Sequence, residues 1–406
     1  MFLELFQGLM IPAIIMNVLN ATAFMNRVTC PSMLVKAVIY CFITSLMSVT
    51  TGIILCLVIP LDGGMPGESV VSHPIDIIYS MANNMCRRRV IGLFIGTVKF
   101  DLSMTEMIID GNVTNSTSSM IVVKKNFNFN VLGLIALCFV YGVVMRKYDD
   151  KVRAQRPADR FPYLRSFSRI TESIMFYTHV FIMPVAVVCF AVKMLADTHD
   201  WSLMLNLAKF IGIIICGLLA HGVILLPLLY LITVWKNPLP LIEHFYDDVL
   251  CSTLQCNTST TTLELCLELC RDAGIDQDVS RLILPIGHKV NLNGTALYEA
   301  MAVIFVARLQ NVTLDPLQLA VLGLMVVMVS IGVGGLHSRG AIVTVFVLKA
   351  FGLQYDNLIG LLAFVEILLY PLCEAVNAAG NCFGAAIIHY GNYPEQNTPD
   401  GSPIIA

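Results

Sequence analysis

The sequence predicts an all-α polytopic membrane protein with two re-entrant hairpins. Three observations predict it. Hydrophobic residues make up 57% of the 406-residue chain and charged residues only 13%, about half the charged share of a soluble domain. The apolar residues fall in runs long enough to cross a bilayer, which takes about 20 residues per helix. One such run, 281–310, is broken in the middle by Asn291-Leu292-Asn293-Gly294-Thr295. The bilayer core offers no water, so polar residues and Gly at that depth are costly unless they line a cavity. Broken helices there mark proteins that move small solutes, because unwound backbone and half-helix ends can hold solute and ions.

The elements follow in order. The predicted spans are 3–24, 34–60, 76–98, 129–146, 166–196, 201–235, 281–310, 317–333 with 341–351, and 358–389. The segment 239–275 is half apolar and rich in Ser, Thr and Leu. Eight of the 25 basic residues lie in the linker 146–169, which places that linker in the cytoplasm. One span earlier, the loop 100–127 carries glycosylation acceptor patterns at Asn112 and Asn115, which place it outside. The tail 391–406 is assigned to the cytoplasm. No basic start with a cleavage site marks a signal peptide, and Met1-Phe2-Leu3 runs straight into a span.

Composition also excludes classes. A net charge of −3 carries no nucleic-acid signature. The thirteen cysteines include no Cys-x-x-Cys and read as small buried hydrophobes, not as a metal site or disulfide framework. No Ser/His/Asp set or zinc-type His pair supports an intramembrane enzyme, and no cofactor is implied.

Three polar elements accompany the broken span. Asn257-Thr258-Ser259-Thr260-Thr261-Thr262 stands between helical half-runs 239–254 and 263–272. Its hydroxyls can satisfy a turn at membrane depth and face a solute. Ser330 to Gly340 divides the apolar run 317–351 into halves too short to span, which suggests a re-entrant hairpin with a Gly-rich tip. In 358–389, Glu366, Tyr370, Cys373, Glu374, Asn377 and Asn381 recur at helical spacing on one face. A charge at mid-membrane costs at least about 2.5–3.5 kcal/mol, so this face turns inward or towards water.

With these elements in this order, the chain resembles the dicarboxylate/amino acid:cation symporters, the glutamate transporter family. Leu284-Pro285-Ile286-Gly287 and the run Asn291 to Ala300 carry the most specific likeness. The resemblance implies a homotrimer in the plasma membrane that carries an amino acid by an elevator motion. The scaffold would be 1–30 and 76–198. The transport part would be 31–60 and 199–390, with hairpin 1 at about 239–275 and hairpin 2 at about 317–351. The chain starts at what looks like the family's second helix, so the first family helix is expected to be missing.

The resemblance also implies site residues. Thr258, Ser259, Thr260, Tyr370, Cys373, Glu374 and Asn377 fall at substrate positions. Thr44, Ser45, Gly287, Asn291, Asn293, Asn377 and Asn381 fall at sodium positions, so sodium is the implied coupling ion. Asn293 and Asn381 stand where the family has Asp. An amide oxygen can ligate sodium but cannot neutralise its charge, so sodium coupling is expected to be altered. Cys373 stands at the position of the family's substrate-binding Arg, as in neutral amino-acid exchangers, and favours a neutral substrate. Arg339 could restore a guanidinium from the hairpin side. Lys289 is read as a tethered cation in place of a bound sodium. Glu299 matches the position associated with proton coupling. The alternative reading is an anion-conducting, channel-like relative with a degenerate site.

Overall fold

The computed structural model describes residues 31–59, 74–85, 95–109, 112–129, 131–152, 201–243, 259–333, 339–353 and 358–392, with isolated positions within 12–19, 166–192 and 244–249. The helices are α1 (Pro31–Val58), α2 (Pro74–Met85), α3 (Val131–Val152), α4 (Trp201–Leu219), α5 (Leu226–Val234), α6 (Ser259–Asp272), α7 (Gln277–Val290), α8 (Asn293–Leu309), α9 (Pro316–Val333), α10 (Arg339–Phe351) and α11 (Ile359–Asn392). A π-helical segment, Ala220–Leu225, joins α4 to α5 and buries His221 and Gly222. Among the described residues, four helical stretches are long and apolar enough to cross a membrane: Met33–Val58, Met204–Val234, Gln277–Leu309 and Gly360–Asn392. The chain is a multi-pass, mainly helical membrane protein.

Several expectations are corrected. The span 76–98 is not one helix. Its helical part ends at Met85, and strand β1 (Ile95–Ile109) follows, paired antiparallel with β2 (Asn112–Phe129). The loop expected at 100–127 therefore lies within a β-hairpin, and the all-α class holds only for the rest of the described chain. Asp110-Gly111 lies between the strands, a dipeptide that favours two-residue hairpin connections. Asn112 opens β2 opposite Ile109, and Asn115 lies on the same strand. The basic linker 146–169 begins as helix, because α3 runs through Val152. Most of spans 3–24 and 166–196, and the tail beyond Asn392, lie outside the described residues.

Helix ends follow local chemistry. Pro31 and Pro316 open α1 and α9, where a missing N–H costs nothing. Gly274 (φ 72) closes α6, with Ile275 N donating to Cys270 O at 2.9 Å, a left-handed cap that suits Gly. Two residues on, Asp276 Oδ1 accepts from Asp278 N (2.8 Å) and Val279 N (3.2 Å) and starts α7. Such a cap contributes about 1 kcal/mol.

Packing sorts the helices by burial. From Asn293 to Ala307 every residue of α8 is buried, as expected of a helix apolar on all sides. It packs against α1, α4, α9, α10 and α11. Phe305 stacks on Phe210 of α4 at 4.2 Å between ring centroids, and such an aromatic pair contributes about 0.5–1.5 kcal/mol. By contrast, α1 exposes Val35, Val38, Ile39, Phe42, Ile43 and Leu46 and buries Tyr40, Thr44, Ser45 and Ser48. Its apolar face suits lipid, and its polar stripe is turned onto α8. A second apolar cluster, around Tyr230, Phe245 and Phe383, joins α5, α6, α7 and α11.

Candidate functional site

The broken span supplies the centre of the site. Helix α7 ends at Val290 and α8 begins at Asn293, leaving Asn291 (φ −93, ψ 78) and Leu292 (φ −104, ψ 57) non-helical. The break is narrower than the sequence suggested, because Asn293, Gly294 and Thr295 already belong to the first turn of α8. That turn leaves backbone N–H groups without helical partners. Gly294 N donates to Asn377 Oδ1 of α11 at 2.8 Å. A Cβ at Gly294 would stand 2.5 Å from the Cys373 carbonyl oxygen and 2.9 Å from its Cα. Only Gly lets the break approach α11 so closely.

The family-implied sodium positions do come together. Thr44 Oγ1 lies 2.8 Å from Asn291 Oδ1, and Asn291 Nδ2 donates to Asn381 Oδ1 at 3.0 Å. Ser45 Oγ donates to Asn293 Oδ1 at 3.2 Å. Gly287 fits against the Asn381 amide, whose Cγ would stand 2.9 Å from an added Cβ. Asn377 links this group to the substrate positions. Its Nδ2 lies 3.1 Å from Thr295 Oγ1 and 3.2 Å from Glu374 Oε2.

Helices α8 and α11 also carry carboxylates. Glu299, Glu366 and Glu374 are all buried. Ser330, near the end of α9, donates its hydroxyl to Glu299 Oε2. Gly340 N, at the start of α10, donates to Glu366 Oε1 at 2.7 Å. Tyr298 reaches across to the Leu362 carbonyl at 2.7 Å. The α8 face, the α11 face and the facing ends of α9 and α10 thus share one buried polar seam.

Other expected residues are placed as follows. Tyr370 and Cys373 are buried on α11. Lys289 is half-buried on the last turn of α7, beside the break. Arg339 opens α10. Helix α6 starts at Ser259, so Ser259, Thr260, Thr261 and Thr262 form its first turn rather than a turn between half-runs. Thr258 lies outside the described residues.

Two contributors were missed from sequence. Ser48 Oγ donates to the Asn293 carbonyl at 2.6 Å. Tyr40, Thr44 and Ser48 repeat every four residues, so the helical stripe could have revealed it. The partnership of Ser330 with Glu299 had no such signal, since it joins separate helices.

A family model for the sodium:dicarboxylate symporter family matches residues 1–390. The chain belongs to that family. It is 28% identical over 410 residues to excitatory amino acid transporter 3 of Homo sapiens, covering 94% of this chain and 76% of that relative. It is 26% identical to excitatory amino acid transporter 2 of Homo sapiens, covering 98% and 73%. It is also 26% identical to a putative sodium-dependent excitatory amino acid transporter, glt-6, of Caenorhabditis elegans, covering 96% and 72%. This sodium:dicarboxylate symporter-family chain belongs among membrane carriers, not enzymes.

Proposed function

We propose that this chain is a secondary active transporter of amino acids that works by an elevator motion with altered sodium coupling. The observation that carries the reading is the buried seam itself. The broken-span residue Gly294 bonds Asn377, while Gly340 at the start of α10 bonds Glu366. Polar groups from a broken span and a neighbouring helix pair meet where lipid cannot reach them, as a solute pocket requires. Family membership over residues 1–390 supports the same reading.

In this reading 31–60 and 199–390 move as the transport part. The scaffold, 1–30 and 76–198, forms a homotrimer in the plasma membrane, glycosylated at Asn112 and Asn115. Segments 239–275 and 317–351 are re-entrant hairpins. Helix α9 has 18 residues and α10 has 13, about 27 Å and 20 Å of helix, short for full crossings of a roughly 30 Å core. The substrate lies against Thr258, Ser259, Thr260, Tyr370, Cys373, Glu374 and Asn377. With Cys373 in place of a guanidinium, the substrate is a neutral amino acid whose carboxylate meets Arg339. Lys289 serves as the tethered cation, and Glu299 carries a coupled proton.

Uptake of radiolabelled amino acids into proteoliposomes, with and without a sodium gradient, tests the reading. The expected result is concentrative uptake of a neutral amino acid that persists when the sodium gradient is removed. Solute-independent anion currents with no uptake in any ionic condition would overturn it in favour of a channel-like relative.

A further inference from the structure

At the α1 end of the seam stand Thr44, Ser45, Ser48, Asn291, Asn293 and Asn381, all buried and none carrying a formal charge. Their amide oxygens lie against hydroxyl or amide groups of the same cluster. Asn291 Oδ1 faces the Thr44 hydroxyl at 2.8 Å, Asn381 Oδ1 accepts from Asn291 Nδ2 at 3.0 Å, and Asn293 Oδ1 accepts from Ser45 at 3.2 Å. Each side-chain amide oxygen of the cluster faces a hydroxyl or an amide NH2 of the same cluster.

A sodium ion does not fit this set. The ion would lose its hydration shell in a buried place and find no counter-charge, which is costly for any buried ion. It would also meet amide NH2 groups. Asn293 Nδ2 is buried without a hydrogen-bond partner. It lies 2.9 Å from the point where a Cβ on Gly380 would stand, and Asn291 Nδ2 lies 3.7 Å from the same point. Two NH2 groups, the positive ends of their amide dipoles, therefore share the space beside Gly380. The Glu374 carboxylate is engaged elsewhere, by Asn377 Nδ2 at 3.2 Å.

We propose that the Asn291–Asn293–Asn381 cluster is a built-in, ion-free substitute for a sodium site. It holds the broken span to α1 and α11 permanently, so the pocket is organised before any cation arrives. This inference rests on the transporter reading and deepens it, from altered sodium coupling to a site that rejects the ion.

The test uses the full chain, purified and reconstituted in nanodiscs. Its melting temperature is compared in sodium chloride and in N-methyl-D-glucamine chloride at matched ionic strength. The expected result is no sodium-specific shift for the unaltered protein. The double variant Asn293→Asp/Asn381→Asp should gain an upward shift of about 3 °C at saturating sodium. Sodium-specific stabilisation of the unaltered protein overturns the proposal. So does a monodisperse, folded double variant that ignores sodium. If the double variant does not fold, the unaltered protein and the single variant Asn293→Asp decide the matter by the same criteria. Failure of the transporter reading looks different: no amino acid accumulates in any ion, whatever the melting curves do.

Discussion

Two polar regions share α8 and α11, and they are built on opposite principles. Around Asn291, Asn293 and Asn381 the groups are neutral and bond to one another. Around Glu299, Glu366 and Glu374 they are acidic: Ser330 on α9 donates to the first, Gly340 on α10 to the second, and Asn377 of the same helix, α11, to the third. A neutral, mutually bonded cluster behaves as part of the core, and removing one member leaves buried partners unmet at about 1–3 kcal/mol each. Acidic groups held by the ends of separate helices depend on where those ends stand. The first region is suited to holding the broken span in place, the second to sensing the positions of α9 and α10.

The sharpest way to break the comparison is to damage the residue that serves both regions. Gly294→Ala forces a Cβ against Cys373 backbone atoms and should cost at least about 3 kcal/mol. The expected outcome is loss of monodisperse protein in size-exclusion chromatography, with no uptake to measure. Next in size, Asn291→Ala strips both Thr44 and Asn381 of a partner. It should lower stability by about 2–4 kcal/mol, read as a clear fall in melting temperature that is the same in sodium and sodium-free buffer.

Glu374→Gln separates the regions functionally. It keeps the size and an acceptor for Asn377 Nδ2 but removes the charge. Uptake should fall at least about tenfold, equivalent to about 1.4 kcal/mol, while the melting temperature moves little. A large stability loss with normal uptake would put Glu374 in the structural class with the amides. Ser330→Ala removes the hydroxyl that Glu299 accepts, a bond to an acidic group worth about 1.5–3 kcal/mol. The expected sign is a changed pH profile of uptake. The smallest effect is expected from Asp276→Ala, the α7 cap remote from both regions. It should cost about 1 kcal/mol of stability and leave the uptake specificity untouched.

Much of the fold was legible because hydrophobic runs and membrane thickness constrain helices strongly. The break at Asn291, the division of 317–351 into α9 and α10, and the polar face of α11 were each readable from polar residues interrupting apolar runs. The β-hairpin at 95–129 was not legible, because cross-strand pairs such as Phe100 with Val123 join residues far apart in sequence. The site was legible in part. Tyr40, Thr44 and Ser48 follow a helical stripe, so their burial has a local cause. The bond from Ser330 to Glu299 joins residues 31 apart in sequence, and no local rule pairs them.

By itself the sequence determined that the chain is a multi-pass membrane protein and which polar residues must hide from lipid, because transfer of polar groups into hydrocarbon is costly whatever the partners. Only the tertiary structure decided how those hidden groups are satisfied. Whether an amide meets an ion, a carboxylate or another amide depends on helices brought within about 3 Å of one another, and that distance is set by packing around Gly287 and Gly294, not by any single stretch of chain.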